Sequence, residues 1–479
     1  MGFYLGIDFG TSFFKAGIFD EKGKLLGLGR TAVEKVYNHK NTCELPVTVF
    51  WKTLNTSISI ALQEAGISAD NIVALSYSSQ TNSFILLGEN DKPLTPLILW
   101  TDKRAAQSEA LEQLIQKDDF LYSTGLGIYP GKHAMISKID WIQHHQTQIW
   151  NKTKRILSIS DYFVFAVTGE PVSDFSTASM TGLLNIVQNN WWKDALELFN
   201  IDVNQLSTPQ SMGSFSGKLS STGAKLTGLK PHTALYSGGL DHHMVAVGAG
   251  IPFFHQISES TGTVLACVNY KQTYLPEFGV NIAKGLSEGS YFQMAFDLNG
   301  AVVLDWFQKT YAQHLSIQEL IDRAKTIEPG CSGLIAKPYA DKYEGLDGFI
   351  NIDLNMLPAH FARAILESTS LSMAQLINQL DSEHKVEKII PSGGGARNKV
   401  WLQIKANILN KPFAVPDSGE LACKGAALLC AVGEGVYTDY HEAIGHQCTV
   451  KEMIFPEKKE VIAYKKWHQT IKNKIIWVN

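Results

Sequence analysis

A single carboxylate follows a run of small residues near the middle of the chain, in the stretch SGGLDHHMVAVGAG (residues 237–250). The glycines before Asp241 would let a ligand or another backbone segment approach it closely. An aspartate in such a place can accept a proton or bind a cation, but it can equally be an ordinary turn residue. Its role depends on which other groups lie beside it.

A second candidate site lies near the N-terminus, in DFGTSFFK (8–15). A turn at Gly10 would present the hydroxyl and backbone N–H groups of Thr11 and Ser12 to a phosphate, with Asp8 on Mg²⁺ and Lys15 near the phosphates. A plain β-hairpin explains the same residues. The letters DFG do not indicate a protein kinase, because the chain lacks an H-R-D loop, and it has no Walker A sequence either.

Two more glycine-containing turns could contact a nucleotide. STGT (260–263) could form a second phosphate turn through Thr261, Gly262 and Thr263, although most such strings are plain turns. SGGGARN (392–398) places three glycines between an expected strand and an expected helix, where the backbone could lie against a flat ligand. A flexible connector accounts for these glycines equally well.

Polar residues also follow an apolar strand in LILWTDKRA (97–105). Asp102 and Arg104 could bind the hydroxyls of a polyol, but an ion pair is the commoner explanation for such neighbours. The histidines do not indicate a metal site. His242 and His243 are adjacent in sequence, and HEAIGH (441–446) is one residue longer than the H-E-x-x-H zinc motif.

Strands that alternate with helices must position these residues, which predicts an α/β architecture. Residues 3–30 read as three short strands with turns at residues 10–11 and 21–23. A helix should follow over 48–65, with Thr48 as N-cap and Gly66 as C-cap. In the second half, 388–416 read as strand, glycine loop, helix and strand, and CKGAALLCAVGEG (423–435) reads as a helix suited to close packing.

A weak internal repeat suggests a duplicated fold. Residues 4–19 and 257–270 share the form strand, Gly-Thr turn, strand. The second copy begins just after GAGIP, which places the boundary near Pro252.

Length and composition limit the class of protein. A chain of 479 residues suggests two or three domains, and its net charge of −4 gives no sign of nucleic-acid or anionic-membrane binding. Six scattered cysteines without a C-x-x-C pair predict reduced thiols in an intracellular protein. No apolar run reaches the roughly 18 residues needed to span a bilayer, and the N-terminus does not read as a signal peptide.

Taken in order along the chain, these motifs resemble the FGGY carbohydrate kinases of the actin-like ATPase superfamily. The quoted matches cover essentially the whole chain. They are GIDFGTSFFKAGIFD, LILWTDKR, SDYFVFAVTGEPVSDFSTASMTGLLNI, GGLDHHMVAVGAG and GGGARNKVWLQIKANILNKPFAVP followed by GELACKGAALLCAVGEG.

The resemblance implies two actin-like (ribonuclease-H-like) domains with a cleft between them. Residues 1–251 would form the sugar-binding domain, which carries the base, and 252–479 the ATP-binding domain. The implied reaction moves the γ-phosphoryl group of Mg-ATP onto a hydroxyl of a small sugar, in the cytoplasm. Family habit alone suggests a homodimer.

The resemblance also assigns roles to residues. Asp241 would be the catalytic base, and Asp8 and Asp241 would lie at Mg²⁺. The expected contacts with the nucleotide are Asp8, Gly10, Thr11, Ser12, Lys15, Thr261, Gly262, Thr263, Gly393, Gly394, Gly395, Ala396 and Asn398. The expected sugar contacts are Gln80, Thr81, Asn82, Asp102, Arg104 and His242.

Departures from the family pattern concern the sugar. Xylulokinases carry G-Q-M-H-G where this chain has SQTNS (79–83), and the Arg-Glu pair of glycerol kinases is absent as well. His242 and His243 after the base resemble a variant of fuculokinase-like members. A ketose such as xylulose or fuculose is therefore the expected substrate. A polyol or sugar-acid kinase, a non-catalytic sugar-responsive ATP-binding protein and an actin-like assembly ATPase remain alternatives.

Overall fold

The structure is a computed structural model that describes residues 2–38, 41–105, 108–252, 256–262, 264–337 and 346–471. The chain forms two compact units, each made of several segments. Unit 1 contains Met1–Pro252, Tyr270–Gln293 and Glu420–Cys448, and unit 2 contains Phe253–Asn269, Met294–Gly419 and Thr449–Asn479. Two segments that the sequence assigns to the second domain, 270–293 and 420–448, therefore pack within unit 1.

Helices and strands alternate along the chain, as the sequence predicts. The strands are β1 (Phe3–Phe9), β2 (Phe13–Phe19), β3 (Leu25–Ala32), β4 (Glu44–Leu45), β5 (Ile72–Ser79), β6 (Phe84–Leu87), β7 (Leu97–Ile98), β8 (Arg155–Ser158), β9 (Val172–Asp174), β10 (Leu184–Asn185), β11 (Asn190–Trp191), β12 (Thr208–Gln210), β13 (Phe215–Lys218), β14 (Ala234–Tyr236), β15 (Gly239–Leu240), β16 (Gln256–Thr261), β17 (Leu265–Lys271), β18 (Asn281–Lys284), β19 (Tyr291–Asp297), β20 (Ile335–Ala336), β21 (Phe349–Ile350), β22 (Lys388–Ser392), β23 (Phe413–Pro416) and β24 (Val450–Ile454).

The α-helices are α1 (Val47–Ala65), α2 (Glu109–Ile115), α3 (Phe120–Thr124), α4 (Met135–His145), α5 (Thr147–Trp150), α6 (Ile159–Thr168), α7 (Phe175–Ala178), α8 (Lys193–Leu198), α9 (Ser221–Thr227), α10 (Asp241–Gly248), α11 (Val302–Tyr311), α12 (Ile317–Ala324), α13 (Pro358–Leu380), α14 (Lys399–Leu409), α15 (Leu421–Gly433), α16 (Tyr440–Gln447) and α17 (Lys458–Ile471). None of the helices in the described ranges is both long enough and apolar enough to cross a membrane.

The main sheet of unit 1 has the strand order β13-β14-β5-β1-β2-β3, and β15 also pairs with β5. Strand β1 is antiparallel to β2 and parallel to β5. An apolar core that includes Phe9, Phe14, Phe50, Tyr77 and Phe163 packs against this sheet. Aromatic side chains meet edge to face within it, as in the 5.1 Å contact between the Phe9 and Phe163 rings.

Two helices of unit 1 pack closely through glycine, as the small residues of 423–435 predict. A Cβ at Gly425 of α15 would lie 2.2 Å from the Met244 carbonyl oxygen of α10, and one at Gly248 would lie 2.1 Å from the Leu421 carbonyl oxygen. Helix α15 also packs on β1, where a Cβ at Gly6 would lie 1.9 Å from the Cys423 carbonyl oxygen. This packing explains why 420–448 belongs to unit 1.

Unit 2 repeats the central strand pattern of unit 1. Strand β16 is antiparallel to β17 and parallel to β22, just as β1 is antiparallel to β2 and parallel to β5. Helices α11, α12, α13 and α14 enclose a separate apolar core that includes Phe307, Phe361 and Trp401. The repeated strand–turn–strand element predicted from 4–19 and 257–270 is therefore present.

The predicted helix over 48–65 is confirmed except at its start. It begins at Val47, after Pro46, and no side chain caps it, so Thr48 lies inside the helix and is not its N-cap. Gly66 ends the helix with φ 66°, the left-handed conformation that glycine adopts most easily.

Candidate active site

Asp241 is the first residue of α10, directly after the short strand β15. Two glycines, Gly238 and Gly239, precede Asp241 at positions where neighbouring atoms leave no room for a side chain. A Cβ at Gly238 would lie 1.7 Å from the Tyr77 carbonyl oxygen, and one at Gly239 would lie 2.6 Å from the Met212 sulfur. Asp241 is half-buried, and its Oδ1 accepts a hydrogen bond of 2.8 Å from the His242 backbone N–H.

Asp8 is a buried carboxylate on β1, and its neighbours follow from the strand register. Lys15 lies opposite it on β2 and Ser78 beside it on β5. The Ser78 hydroxyl donates to Asp8 Oδ1 at 3.0 Å, and Lys15 Nζ lies 3.5 Å from Asp8 Oδ2. Lys15 also forms an ion pair of 2.9 Å with Glu420.

Negative charge exceeds positive charge around Asp8. Burial raises the pKa of Asp8, the Lys15 ammonium opposes that rise, and the charges of Asp241 and Glu420 add to it. Asp241 and Asp8 are therefore close enough to interact electrostatically, although 233 positions of sequence numbering separate Asp8 from Asp241. Asp8 and Asp241 thus bring two carboxylates into one region, and carboxylate oxygens are ligands that Mg²⁺ prefers.

The chain turns tightly between β1 and β2, at the residues predicted to contact phosphate. A Cβ at Gly10 would lie 2.7 Å from the Phe13 carbonyl oxygen, so the tightness of the turn requires glycine. The Thr11 hydroxyl accepts a hydrogen bond of 2.7 Å from the indole N–H of Trp100, while Ser12 is exposed. Trp100 thus fixes the turn to the segment that carries Asp102.

The predicted sugar residues after β5 are largely occupied by internal hydrogen bonds. Gln80 Nε2 donates to the Phe9 carbonyl, and its Oε1 accepts from the Ser83 hydroxyl. Asn82, at φ 61°, accepts from the backbone N–H of Met135 and donates to the Met180 carbonyl. The Thr81 hydroxyl is half-buried and donates to the Thr177 carbonyl at 3.3 Å.

Asp102 and Arg104 form a buried ion pair and not a surface one. Asp102 is fully buried and accepts four hydrogen bonds, from the Cys43 backbone N–H and from the backbone N–H, Nε and Nη2 of Arg104. A carboxylate has about four acceptor positions, so these bonds use them all. Arg104 pairs with Glu44 as well, which compensates its charge further. The pair holds the 102–104 segment against 43–44.

In unit 2 the predicted glycine loop lies against the predicted second phosphate turn. Gly393 has φ 74°, and a Cβ on it would lie 3.1 Å from the Thr261 carbonyl oxygen. A Cβ at Gly395 would lie 2.9 Å from the Thr261 Cβ. Gly394 is exposed and Ala396 is half-buried in the short 3₁₀ turn that follows the loop.

The two side chains predicted to lie near the nucleotide in this region have structural partners. Asn398 caps α14 by accepting from the Trp401 backbone N–H at 3.0 Å, and its Nδ2 donates to Gln318. The Thr261 hydroxyl donates to Glu259 and accepts from Lys405. Thr263 lies outside the described residues.

The two histidines after Asp241 differ in their surroundings. His243 is fully buried, its ring stacks on Phe292 with centroids 4.8 Å apart, and its Nδ1 is 2.8 Å from the Ser176 hydroxyl. Burial lowers the pKa of His243 to about 3, so the ring is neutral at physiological pH. His242, the predicted sugar contact, is half-buried.

Several neighbours of the predicted site residues were not predicted from the sequence. Ser78 and Glu420 contact the Asp8–Lys15 pair, and Lys405 and Glu259 contact Thr261. Ser78 could have been found from the register of β1 and β5, but Glu420 and Lys405 are brought in by tertiary packing. In the described part of the chain, no three His, Cys, Asp or Glu side chains come together as a metal site.

Comparison with known proteins places the chain in a family. The model of the FGGY carbohydrate kinase N-terminal domain matches residues 3–248, and the model of the C-terminal domain of that family matches residues 294–434. The xylulose kinase of Lactococcus lactis subsp. lactis (strain IL1403) is 27% identical over 499 residues, covering 99% of this chain and 97% of that protein. The gluconokinase of Bacillus subtilis (strain 168) is 28% identical over 451 residues, covering 89% of this chain and 86% of that protein.

A solved structure supports the same fold. The ligand-bound xylulose kinase from Lactobacillus acidophilus superimposes with a TM-score of 0.87 at 22% identity, over 99% of this chain and 98% of that one. Because both family models match in order and together cover most of the sequence, the predicted resemblance is confirmed. The chain belongs to the FGGY family of carbohydrate kinases and is a phosphotransferase with the two-domain actin-like fold.

Proposed function

We propose that this kinase transfers the γ-phosphoryl group of Mg-ATP to a hydroxyl of a small ketose, with Asp241 as the catalytic base. The observation that carries the proposal is the position of Asp241. Asp241 is the first residue of α10 and follows two glycines, which the close packing around them requires. It also interacts electrostatically with the buried Asp8. Kinases use ATP as phosphoryl donor, and the family match implies its use here.

Asp241 would orient the acceptor hydroxyl and take its proton as the new bond to phosphorus forms. Phosphoryl transfer depends mainly on positioning and charge stabilisation, and a carboxylate that receives the hydroxyl proton is a recurring part of kinase sites. Residues at a helix start are held rigidly, which suits a base that must keep its direction.

Asp8 and Asp241 would hold Mg²⁺. The donor set fits, because Mg²⁺ prefers oxygen ligands and kinases usually hold it with one or two carboxylates, phosphate oxygens and water. When bound, the ion would neutralise charge on the phosphates. Lys15 and Ser78 would keep Asp8 in place, and the turn of Gly10, Thr11 and Ser12 would receive phosphate oxygens.

The surface formed by Gly393, Gly394, Gly395 and Ala396 would border the adenosine. Glycines allow a flat base to approach the backbone, and the start of α14 adds the favourable end of a helix dipole. Asn398 would act by capping that helix, since its side-chain oxygen is already the cap acceptor. Thr261 and Gly262 would form the neighbouring phosphate turn.

A neutral ketose fits the sugar-binding residues better than a sugar acid does. Relatives include both a xylulose kinase and a gluconokinase. A carboxylate substrate would call for an available cation, but Arg104 is already paired with Asp102 and Glu44. The Thr81 and Asn82 side chains are uncharged, and the Thr81 hydroxyl, which donates to the Thr177 carbonyl, can still accept a hydrogen bond from a sugar hydroxyl. Location in the cytoplasm and a homodimeric state stay predictions.

The test is ADP release with Mg-ATP over a panel of ketoses, polyols and sugar acids, measured for the wild-type protein and for Asp241→Asn. Asp194→Asn is the matched control, because Asp194 also lies in the first turn of a helix but has a side chain 45% exposed. We expect turnover on a ketose, a loss of at least about 100-fold in Asp241→Asn and no change in the control. Equal turnover in Asp241→Asn would show that Asp241 is not the catalytic base. Higher turnover on a sugar acid than on any ketose would show that the substrate is not a ketose.

A further inference from the structure

Lys405 and Glu259 form a fully buried ion pair beside the proposed phosphate turn. Their side chains are 1% and 0% exposed, and Lys405 Nζ lies 2.7 Å from Glu259 Oε1. Taking both charges out of water costs several kcal/mol per ion, and a well-packed apolar pair of the same size is often as stable. Stability alone therefore gives no reason for this pair.

The pair holds Thr261. The Thr261 hydroxyl donates to Glu259 Oε2 at 2.7 Å and accepts from Lys405 Nζ at 2.8 Å. A hydroxyl has one proton to donate, and here it goes to the carboxylate, so the side chain is fixed in one orientation. This leaves the hydroxyl committed to the interior and gives the phosphate turn a rigid base.

Thr261 in turn supports the glycine loop. Gly393 and Gly395 lie so close to Thr261 that a Cβ on either would approach it within 3.1 Å and 2.9 Å respectively. The Ser392 hydroxyl also donates to the Glu259 carbonyl oxygen at 2.9 Å. Strand β16 thus contacts both the last residue of β22, Ser392, and the glycine loop that follows it.

Lys405 adds the third element, because it lies on α14, the helix that follows the loop. Its ammonium also lies 4.9 Å from the centre of the Trp401 ring on the same helix, a cation–π contact. One buried side chain therefore connects the helix, the turn and, through Thr261, the loop.

We propose that Lys405 and Glu259 are positioning residues for the nucleotide, which fix the Thr261–Gly262 turn and the Gly393–Gly395 loop in the geometry that binds it. This inference rests on the proposed function, since it takes that surface as the nucleotide site. Neither side chain can touch the ligand, because both are buried. The open side of the turn is at Gly262, where an added Cβ would meet no atom within 4 Å.

The test replaces both charges by apolar side chains of similar size, in Lys405→Met/Glu259→Leu. The chain offers a matched control pair away from the proposed nucleotide site. Lys193 Nζ and Glu197 Oε1 on α8 are 3.5 Å apart, and these side chains are 85% and 67% exposed. The control is therefore Lys193→Met/Glu197→Leu, the same two substitutions at a surface pair.

The readout is the Kd for a fluorescent ADP analogue, mant-ADP, with Mg²⁺ and without sugar, together with thermal unfolding and the KM for ATP. We expect a Kd and a KM for ATP at least tenfold higher in the buried-pair variant, with kcat nearly unchanged. The control should stay within twofold of the wild-type protein. A merely structural role would change the unfolding temperature and leave Kd unchanged, which would overturn the inference.

Failure of the inference and failure of the proposed function give different results. If the wild-type protein does not bind mant-ADP, the nucleotide assignment fails. If it binds and the buried-pair variant binds equally well, only the positioning role fails. Should the buried-pair variant not fold, Glu259→Gln tests the same positioning role. It keeps the size of the side chain and an acceptor for Lys405, and we expect it to weaken mant-ADP binding at least threefold.

Discussion

At the scale of single residues, Lys15 tunes the carboxylate that the proposed reaction uses. Burial raises the pKa of Asp8 and Lys15 opposes that rise. In the proposed reaction Asp8 acts as the carboxylate, so activity should fall as pH decreases through its raised pKa. In Lys15→Met the opposing charge is absent, and we expect the acidic limb of the kcat/KM profile to move to higher pH.

The shift in pH is separate from any loss in rate, because Lys15 is itself a predicted phosphate contact. Lys22→Met removes an exposed lysine from the turn after β2 and should leave the profile where it is in the wild-type protein. An acidic limb at the same pH in Lys15→Met and the wild-type protein would mean that Asp8 is not the group that titrates.

The sequence indicates the candidate residues of the proposed site, but it indicates few of their partners. Asp241, Asp8 and the glycine runs stand out by type and spacing. Arg104 and Ser83, which bond to Asp102 and Gln80, lie two and three positions away along the chain. The other partners of these side chains, Cys43 and Phe9, are 59 and 71 positions away and are brought in by tertiary packing. A local pattern therefore indicates only some of the polar groups that are unavailable to a sugar.

At the scale of elements, a buried carboxylate links the stability of unit 1 to pH. Asp174 caps α7 by accepting from the Thr177 backbone N–H, and the Tyr77 hydroxyl donates to it. Burial raises the pKa of Asp174 to about 7, and burial raises that of Asp161 to about 6. The folded state then binds these protons more tightly than the unfolded state, so this stability is complete below the ordinary aspartate pKa and is lost as pH rises to about 7.

We expect the urea midpoint of the wild-type protein to decrease as pH rises from 5 to 7. The free energy of unfolding should decrease by up to about 1.4 kcal/mol per pH unit for each such group. Asp174→Asn removes one of the two groups and should reduce the slope. Asp194→Asn, at an exposed site, should keep it. An unchanged slope in Asp174→Asn would show that Asp174 is ionised in the folded protein throughout this range.

The crossing of α10 and α15 gives a second test at this scale. Gly425→Ala would place a Cβ 2.2 Å from the Met244 carbonyl oxygen, and we expect a loss of about 1–3 kcal/mol in the free energy of unfolding. Because α10 carries Asp241, kcat should fall as well. Gly445→Ala in α16 meets no atom within 4 Å and should stabilise the helix by about 0.5–1 kcal/mol. Equal effects of the two substitutions would contradict the close crossing.

Element types were easier to predict than element ends and neighbours. The three N-terminal strands and the strand–loop–helix–strand order of 388–416 follow from hydrophobic periodicity and glycine punctuation, and the structure has them. The start of α1 was predicted two residues late, because the capping rule favours Thr48 whereas Pro46 holds the N-cap position. Pro46 makes no side-chain cap hydrogen bond, so the preference for Ser, Thr, Asp or Asn at the cap does not locate this helix start.

At the scale of the whole molecule, the two compact units are not two continuous halves of the chain. The sequence divides at residue 252, whereas 270–293 and 420–448 pack in unit 1. The repeated strand pattern was visible in the sequence because it is local. The return of α15 to unit 1 was not, because it depends on contacts between Gly6 and Cys423 and between Gly248 and Leu421.

The most direct test of the central claim is to identify where the phosphoryl group goes. With Mg-ATP and the best ketose of the panel, sugar phosphate and inorganic phosphate are quantified together by phosphorus NMR, for the wild-type protein and Asp241→Asn. The account predicts one sugar phosphate formed for each ADP in the wild-type protein and almost none in the variant. Inorganic phosphate as the main product, or sugar phosphate formed equally fast without Asp241, would contradict it.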